Sequence, residues 1–268
     1  MTDWTVRLLK GFIIGSGFIL PGVSGGALAA VFGIYERMIL FLSNITKDFR
    51  AHVAFFLPLG LGGLGGVFIF STFLAFFFEH AEVHLIWFFI GCIAGTLPAL
   101  WDQAGQRGRK PAHVWTLILS FAAIFAFLSY IARTAGTQPP LTTPTWLITG
   151  ALIGLSTVIP GLSSASILIF LQIFAPMTAG ISDMDLAVII PIALGAVASV
   201  LLFARLMAAL FKRAYAILFH AIIGFVLAST LLIIPLDHSY LSLSGLLCLL
   251  AAVLGAVLGM WLGKLEKR

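Results

Sequence analysis

Two short segments, 139 residues apart, carry residue types that could bind a phosphate group. Residues 21–26 read Pro-Gly-Val-Ser-Gly-Gly and residues 160–165 read Pro-Gly-Leu-Ser-Ser-Ala, each inside a long apolar run. A Pro-Gly break that opens a helix leaves backbone N–H groups unpaired, and helix N-termini favour anions. Glycine lets an anion approach the backbone closely, and serine hydroxyls can donate further hydrogen bonds. The pattern therefore predicts a phosphate site built from one turn of each segment.

The predicted ligands within the two turns are glycines and serines: Gly22, Ser24, Gly25, Gly26, Gly161, Ser163 and Ser164. Arg37 and Arg205, which lie inside apolar runs, are expected to neutralise the phosphate, because a guanidinium group binds phosphate in a bidentate manner. Glu36 is predicted to orient an arginine or to carry a coupling proton. The alternatives are an interfacial Glu36–Arg37 ion pair, an Arg205 side chain that reaches the membrane surface, and turns that only bend the chain.

The composition is that of a membrane protein. The chain is 61% hydrophobic and 9% charged, whereas soluble domains carry about 25% charged residues. Apolar runs longer than about 18 residues recur along the whole chain, which predicts an all-α polytopic membrane protein without a soluble domain. The net charge of +5 is therefore not a nucleic-acid signal.

The sequence contains no set of residues typical of an enzyme. It has no P-loop, no metal-spaced ligand set and no Ser-His-Asp arrangement, so neither an enzyme nor an ATP-driven pump is predicted, and no cofactor is expected. The two cysteines lie in apolar runs, which argues against a disulfide. Transport would have to use an ion gradient, with a proton or sodium ion as the coupling ion, or the gradient of the substrate itself.

Charge placement predicts how the chain crosses the membrane. Twelve of the fifteen Lys and Arg residues form clusters, and the remaining loops are acidic except for Arg133. The positive-inside rule puts every basic cluster and both termini in the cytoplasm only if two of the apolar blocks enter and leave on the same side. The two re-entrant blocks would be 11–42 and 147–176, which carry the Pro-Gly motifs. The six remaining blocks are predicted spans: 53–78, 85–101, 114–131, 187–210, 216–235 and 241–263.

A second similarity extends the repeat. Residues 58–97 align with residues 191–230 at a constant offset of 133. Each half, residues 1–140 and residues 141–268, is thus predicted to contain one re-entrant helical hairpin and three transmembrane helices. After three spans the second half starts on the opposite side, so the halves would form an inverted repeat. Chance similarity between apolar, glycine-rich segments is the alternative.

The two motifs, with Gly33-Ile34-Tyr35-Glu36-Arg37 after the first, resemble a bacterial polyprenyl-phosphate translocase family (PopT), formerly a domain of unknown function. The resemblance covers nearly the whole chain. It implies an inner-membrane protein that returns undecaprenyl phosphate, a polyprenyl-phosphate lipid, from the outer to the inner leaflet. That lipid carries sugars for peptidoglycan and other envelope polymers. The second motif departs from the family pattern, since Ser164 replaces a glycine and Phe174-Ala175 stand where the family has Tyr-Glu.

Two other functions fit the same residues. One is a secondary transporter of a soluble organic or phosphate anion, and the other is a membrane scaffold that transports nothing. A lipid translocase differs from a transporter of soluble anions by a lateral opening to lipid, which the sequence does not show.

Overall fold

The structure is a computed structural model that describes residues 3–20, 28–29, 32–34, 49–134, 138–159 and 162–266, apart from the side chains of residues 205, 208, 265 and 266. Within these ranges every element is an α-helix, as predicted. Five helical segments are long and apolar enough to cross a membrane, so the chain is a polytopic integral membrane protein. In chain order the helices are α1 (Asp3–Ile19), α2 (Phe49–Gly105), α3 (Pro111–Thr134), α4 (Thr143–Val158), α5 (Ala165–Phe170), α6 (Phe174–Ser182), α7 (Leu186–Leu232) and α8 (Leu243–Glu266).

Helices α2 and α7 are much longer than one span because each consists of two arms that fold back on each other. The backbone leaves helical geometry at Ala81 (φ −151°, ψ 39°) in α2 and at Ala214 (φ −133°, ψ 37°) in α7. The rings of Phe78 and Phe89 lie 6.2 Å apart, whereas 11 residues of straight helix would span about 16 Å. The chain therefore reverses at Ala81. Phe211 packs against the arm that follows Ala214, which shows the same reversal in α7.

The predicted spans agree with these arms, but the connections are shorter than predicted. Spans 53–78 and 85–101 lie in the first arm (49–80) and the second arm (82–105) of α2. The loop predicted between them is replaced by the single non-helical residue Ala81, because charged residues are tolerated on exposed helix ends. The other predicted spans correspond to α3, the two arms of α7, and α8.

Close glycine contacts join α1 to the first arm of α2. A Cβ atom added to Gly11 would come within 2.1 Å of the Leu59 carbonyl oxygen, and one added to Gly15 within 2.1 Å of the Gly63 carbonyl oxygen. Only glycine lets two helix backbones approach this closely. Since both residue numbers rise together along the contact, α1 and the first arm of α2 run in the same direction.

The same contacts recur in the second half of the chain. Added Cβ atoms on Gly150 and Gly154 would lie 2.0 Å and 2.4 Å from the carbonyl oxygens of Ile192 and Ala196. These residues follow their counterparts by 139 and 133 positions, which are the two offsets of the sequence repeat. Helix α4 and the first arm of α7 (186–213) therefore also run in the same direction. The chain between them, through α5 and α6, has to return to the end of the bundle at which α4 begins.

The second arms of α2 and α7 carry the contacts between the two halves. An added Cβ on Gly91, in the second arm of α2, would lie 2.0 Å from the Ala252 carbonyl oxygen of α8. One on Gly224, in the second arm of α7 (215–232), would lie 2.4 Å from the Leu117 carbonyl oxygen of α3. Each half thus packs its last helix against the other half, which makes the two halves one folding unit.

The two ends of this bundle carry opposite charge. We call the end that contains Ala81 the acidic end and the end that contains Ala214 the basic end. The acidic end holds Glu79, Glu82, Asp183 and Asp237, and the basic end holds Arg107, Arg109, Lys110, Lys212 and Arg213.

The reversal of α7 at the basic end is held by the loop that follows α2. Arg107 donates a hydrogen bond from Nη1 to the Phe211 carbonyl oxygen at 3.2 Å, and its guanidinium carbon lies 4.5 Å from the centre of the Tyr215 ring. Carbonyl groups at a helix end lack intrahelical partners, so this contact satisfies one of them.

The tight glycine packing generates a stability prediction. Gly150→Ala should destabilise the protein by about 1–3 kcal/mol, because the new methyl group would overlap the Ile192 carbonyl oxygen. Gly60→Ala is the matched control, since Gly60 is also helical but nothing lies within 4 Å of an added Cβ. Thermal unfolding in detergent should give a lower midpoint for Gly150→Ala and an unchanged or higher midpoint for Gly60→Ala, because alanine favours helix. Equal midpoints would contradict the close approach of α4 and α7.

Candidate functional site

The structure describes only part of the predicted phosphate site. The structure describes Ser163 and Ser164. It places the backbone of Arg205 in the first arm of α7 but does not describe the Arg205 side chain. The other predicted site residues lie outside the described residues: Gly22, Ser24, Gly25, Gly26, Glu36, Arg37 and Gly161.

The second Pro-Gly motif coincides with a break between two helices. Helix α4 ends at Val158, and Ile159 is extended (φ −99°, ψ 107°), as expected for a residue that precedes a proline. The Leu162 N–H donates to the Ile159 carbonyl oxygen at 3.2 Å, and the next helix begins at Ala165. The motif therefore interrupts the helix, as predicted.

This break lies inside the bundle. Ile159 packs against a cluster formed by Ile93 on the second arm of α2 and by Ile222 and Val226 on the second arm of α7. These positions are midway along both arms. Non-helical backbone is tolerated at membrane depth only where protein or a watery cavity surrounds it, and the second break meets that condition.

Two pairs of serine hydroxyls surround the break. Ser156 Oγ lies 3.3 Å from Ser164 Oγ, and Ser166 Oγ lies 2.9 Å from Ser229 Oγ. Ser166 and Ser229 are buried, with exposed fractions of 2% and 0%. The second pair fixes the start of α5 to the second arm of α7, while the first pair is partly accessible and could turn toward a ligand.

The helix after the break is shorter than the sequence suggested. A re-entrant hairpin in the 30 residues of block 147–176 would have room for two helices of about 10–15 residues, but the chain after the break forms α5, with six residues, and α6, with nine. Gln172 separates α5 from α6 with a left-handed backbone (φ 55°). A six-residue helix has a small dipole, so its N-terminus alone would be a weak anion site.

The described residues after the first Pro-Gly motif contain a similar left-handed residue. Gly33 has a left-handed backbone (φ 69°) and stands 139 positions before Gln172. The Ile34 N–H donates to the Ala29 carbonyl oxygen at 2.8 Å, and the N–H of Ile173 donates to its equivalent, the Leu168 carbonyl oxygen, at 2.8 Å. Residues 32–34 and 171–173 therefore share one turn geometry, formed around glycine in the first half and around glutamine in the second.

Sequence reasoning missed two features of the site. Ser229 was not singled out, although Thr96, at an offset of 133, marks the same position. Both hydroxyls donate to the carbonyl oxygen three residues earlier, Thr96 to Ile93 and Ser229 to Val226. A hydroxyl residue at equivalent positions of both halves was the signal that could have revealed it.

Lys10 is the second missed feature. It lies just before the apolar block 11–42, where the sequence gives no sign that it is buried, but it is half-buried. Its Nζ donates to the Phe32 carbonyl oxygen at 3.4 Å and lies 5.7 Å from the centre of the Phe32 ring. A cation thus lies against Phe32, eight residues after Ser24 of the first motif.

A family model described as undecaprenyl phosphate translocase-like (VCA0040-like) matches residues 14–245, which include both Pro-Gly-x-Ser motifs. The chain belongs to this family. A relative from Vibrio cholerae serotype O1 named polyprenyl-phosphate transporter is 26% identical over 222 residues, which cover 76% of this chain and 69% of that protein. A Staphylococcus aureus protein of the same name is 22% identical over 243 residues, 86% of each chain. No solved structure matches the chain.

The buried serine pair generates a second stability prediction. Ser229→Ala should cost about 1 kcal/mol, because it removes the bonds to Ser166 and Val226 in the interior. Ser199→Ala is the matched control, since the Ser199 hydroxyl is buried without a partner and its removal should be neutral or stabilising. Thermal unfolding of both variants measures the difference. If Ser199→Ala lost as much stability as Ser229→Ala, the Ser166–Ser229 bond would not anchor α5.

Proposed function

We propose that this protein translocates undecaprenyl phosphate across the bacterial inner membrane, from the outer to the inner leaflet, so that the carrier lipid is reused in envelope synthesis. The observation that carries the proposal is a helix break with partly accessible hydroxyls inside the bundle, in a chain that belongs to an undecaprenyl phosphate translocase-like family. Two relatives are named as polyprenyl-phosphate transporters. A phosphate head group cannot cross about 30 Å of hydrocarbon unassisted, so a buried polar site is the physical requirement for this activity.

The proposed topology is an inverted repeat of residues 1–140 and 141–268, with a re-entrant hairpin at the start of each half. The parallel packing of α4 with the first arm of α7 supports a re-entrant second hairpin, because the chain between them has to return to the end where α4 begins. The first half begins at the basic end and the second at the acidic end, which supports inversion. Under the positive-inside rule the basic end and both termini are cytoplasmic.

The proposed phosphate site combines both turns with two arginines. Ser163 and Ser164 would supply hydroxyl donors from the second turn, and Gly22, Ser24, Gly25 and Gly26 would supply donors from the first. The repeat offsets pair Arg205 with Thr72 and Arg37 with Pro176, and these two partners line one groove at the acidic end. Arg37 and Arg205 would therefore share the equivalent groove at the basic end, with Glu36 beside them to orient a guanidinium group or to carry a proton.

The charge difference between the ends supports the proposed direction. At equivalent positions the acidic end has Glu79 and the basic end Lys212. A phosphate would bind more weakly at the acidic end and more tightly at the basic end. Unequal affinity changes how much of the protein is open to the outer leaflet and how much to the inner leaflet when substrate is bound. Net accumulation of substrate requires a gradient in addition, and we propose a proton or sodium gradient for this.

Arginine variants test the proposed site. Arg37→Ala and Arg205→Ala should each abolish the movement of labelled undecaprenyl phosphate between the leaflets of liposomes, because the head group loses its neutralising charge. Arg133→Ala, which removes an exposed cation outside the repeat motifs, should transport normally.

Wild-type transport of undecaprenyl phosphate with unchanged rates in both site variants would contradict the phosphate site. Wild-type transport of a soluble phosphate or organic anion, without transport of the lipid, would favour the soluble-anion alternative. A protein that moves neither would be a scaffold.

Cysteine labelling tests the topology. Thr142→Cys and Asp185→Cys, on either side of the second hairpin, should react with a membrane-impermeant maleimide from outside intact cells, because both ends of a re-entrant hairpin lie on one side. Arg109→Cys and Lys264→Cys should react only after permeabilisation. Opposite accessibility of Thr142→Cys and Asp185→Cys would show that block 147–176 crosses the membrane once.

A further inference from the structure

A cavity of about 510 Å³ opens at the acidic end of the bundle. It lies between the reversal of α2, the junction of α5 and α6, and the end of α7, and its polar lining includes Glu82, Gln138 and Gln172. Phe170 and Leu232 form its inner part. Phe170 follows Ser166 by four residues on α5, and Leu232 follows Ser229 by three on α7, so the cavity ends about one helical turn from the buried serine pair.

A second cavity, of about 580 Å³, adjoins the first and shares four of its lining residues, Phe78, Glu82, Ala175 and Pro176. It continues sideways between the first arm of α2 and α6. We call this part the lateral groove and define it by Thr72, Ala75 and Phe76 on α2 and by Ala179 and Ser182 on α6.

The lateral groove faces the surface that meets lipid. Phe76 is 55% exposed, and Phe73 and Ile69, on the same arm of α2, are 51% and 54% exposed. This arm belongs to a segment apolar enough to cross a membrane, so its exposed aromatic and aliphatic side chains contact acyl chains. The groove therefore connects the interior cavity with the hydrocarbon region rather than with water alone.

We infer that the lateral groove admits the polyprenyl chain of the substrate, while the head group moves through the interior cavity toward the serine pairs. The inference rests on the proposed function and deepens it by locating the lipid opening. A chain of many isoprene units is much longer than a cavity of this size, so it has to leave the protein through an opening that faces lipid. Between the described helices, the lateral groove joins the cavity near the candidate site to that surface.

The charges at the groove favour the chain over the head group as its occupant. Glu79, Glu82 and Asp183 lie at the outer end of the two cavities, where they repel a phosphate. Thr72 lies about 10 Å farther along α2 from Glu79, in the part lined by alanine and phenylalanine side chains. The carboxylates thus disfavour binding of the head group at the outer end of the cavities, and the apolar part of the groove suits an isoprenoid chain.

A hydroxyl pair bridges the two walls of the groove. The Ser182 hydroxyl donates to Thr72 Oγ1 at 3.1 Å, and Thr72 donates to the Phe68 carbonyl oxygen at 3.1 Å. A single exposed hydrogen bond contributes little to stability, so a lipid chain that enters the groove can displace it at small cost. Beneath it, Leu74 of α2 and Met177 of α6 belong to one buried cluster that holds the two helices together. The pair also provides a place where the walls can be joined covalently.

Photocapture tests which molecule occupies the groove. p-Benzoylphenylalanine at position 76 should capture radiolabelled undecaprenyl phosphate several-fold more than the same residue at position 250, because Leu250 on α8 is similarly exposed, at 51%, but lies outside the groove. Equal capture at the two positions, or capture of bulk phospholipid in place of undecaprenyl phosphate at position 76, would overturn the inference.

Covalent closure tests whether the chain has to pass through the groove. In Thr72→Cys/Ser182→Cys the two sulfurs would replace oxygens 3.1 Å apart, so oxidation should form a disulfide, while the native Cys92 and Cys248 are buried. The oxidised variant should lose transport of undecaprenyl phosphate and regain it on reduction. Each single variant is the control for the oxidant and should transport at the same rate before and after oxidation.

The outcomes separate this inference from the proposed function. If the disulfide forms and transport continues at the wild-type rate, the groove is not the lipid path and the proposed function stands. If no disulfide forms, the two walls are not adjacent and the geometry behind the inference is wrong. If the wild type itself does not transport undecaprenyl phosphate, the proposed function fails and the groove loses its substrate.

Discussion

Backbone groups that are not paired within a helix cannot be left in lipid, and the arrangement of this protein follows from that constraint. Each unsatisfied N–H or C=O group costs several kcal/mol in hydrocarbon. The break after Val158 therefore needs protein or a watery cavity around it, and Ile159 packs against the second arms of α2 and α7 about midway along them. Non-helical backbone thus lies inside the bundle rather than against lipid.

Glycine contacts make room for such a break. Helix α4 packs on α7 with Gly150 and Gly154 against carbonyl oxygens, and α1 packs on α2 through Gly11 and Gly15 in the same manner. Close backbone packing lets a short helix stop in the interior without leaving a void. The same offsets, 139 and 133, relate these contacts in both halves, so one packing solution is used twice.

The two halves share their geometry but differ in charge and in side chains. Gln172 takes the place of Gly33 in the left-handed turn, and Thr72 takes the place of Arg205 in the first arms. The turn geometry survives the first exchange because a single residue can adopt a left-handed backbone at modest cost. The second exchange replaces a cationic residue with a hydroxyl residue within the same arm. The two halves thus combine shared helix packing with unequal side chains.

Much of the fold was predictable from the sequence. Hydropathy located the arms of α2 and α7 to within a few residues, and the Pro-Gly motif located the end of α4, because apolar length and proline act locally on the chain. The family was predictable from the motifs. The single-residue reversals at Ala81 and Ala214 were not, since glutamates on an exposed helix end look like a loop in sequence. The break between α5 and α6 at Gln172 was not predictable either, because glutamine carries no local signal for a left-handed backbone.

The sequence by itself determined that this chain spans the membrane repeatedly and that α4 ends before a Pro-Gly motif, because these properties depend on neighbouring residues. Only the tertiary structure decided that Ser229 meets Ser166, that Lys10 lies against Phe32, and that a groove lies between α2 and α6. These features join residues that are 63, 22 and 110 positions apart. No local pattern records such distances, because they are set by how the helices pack.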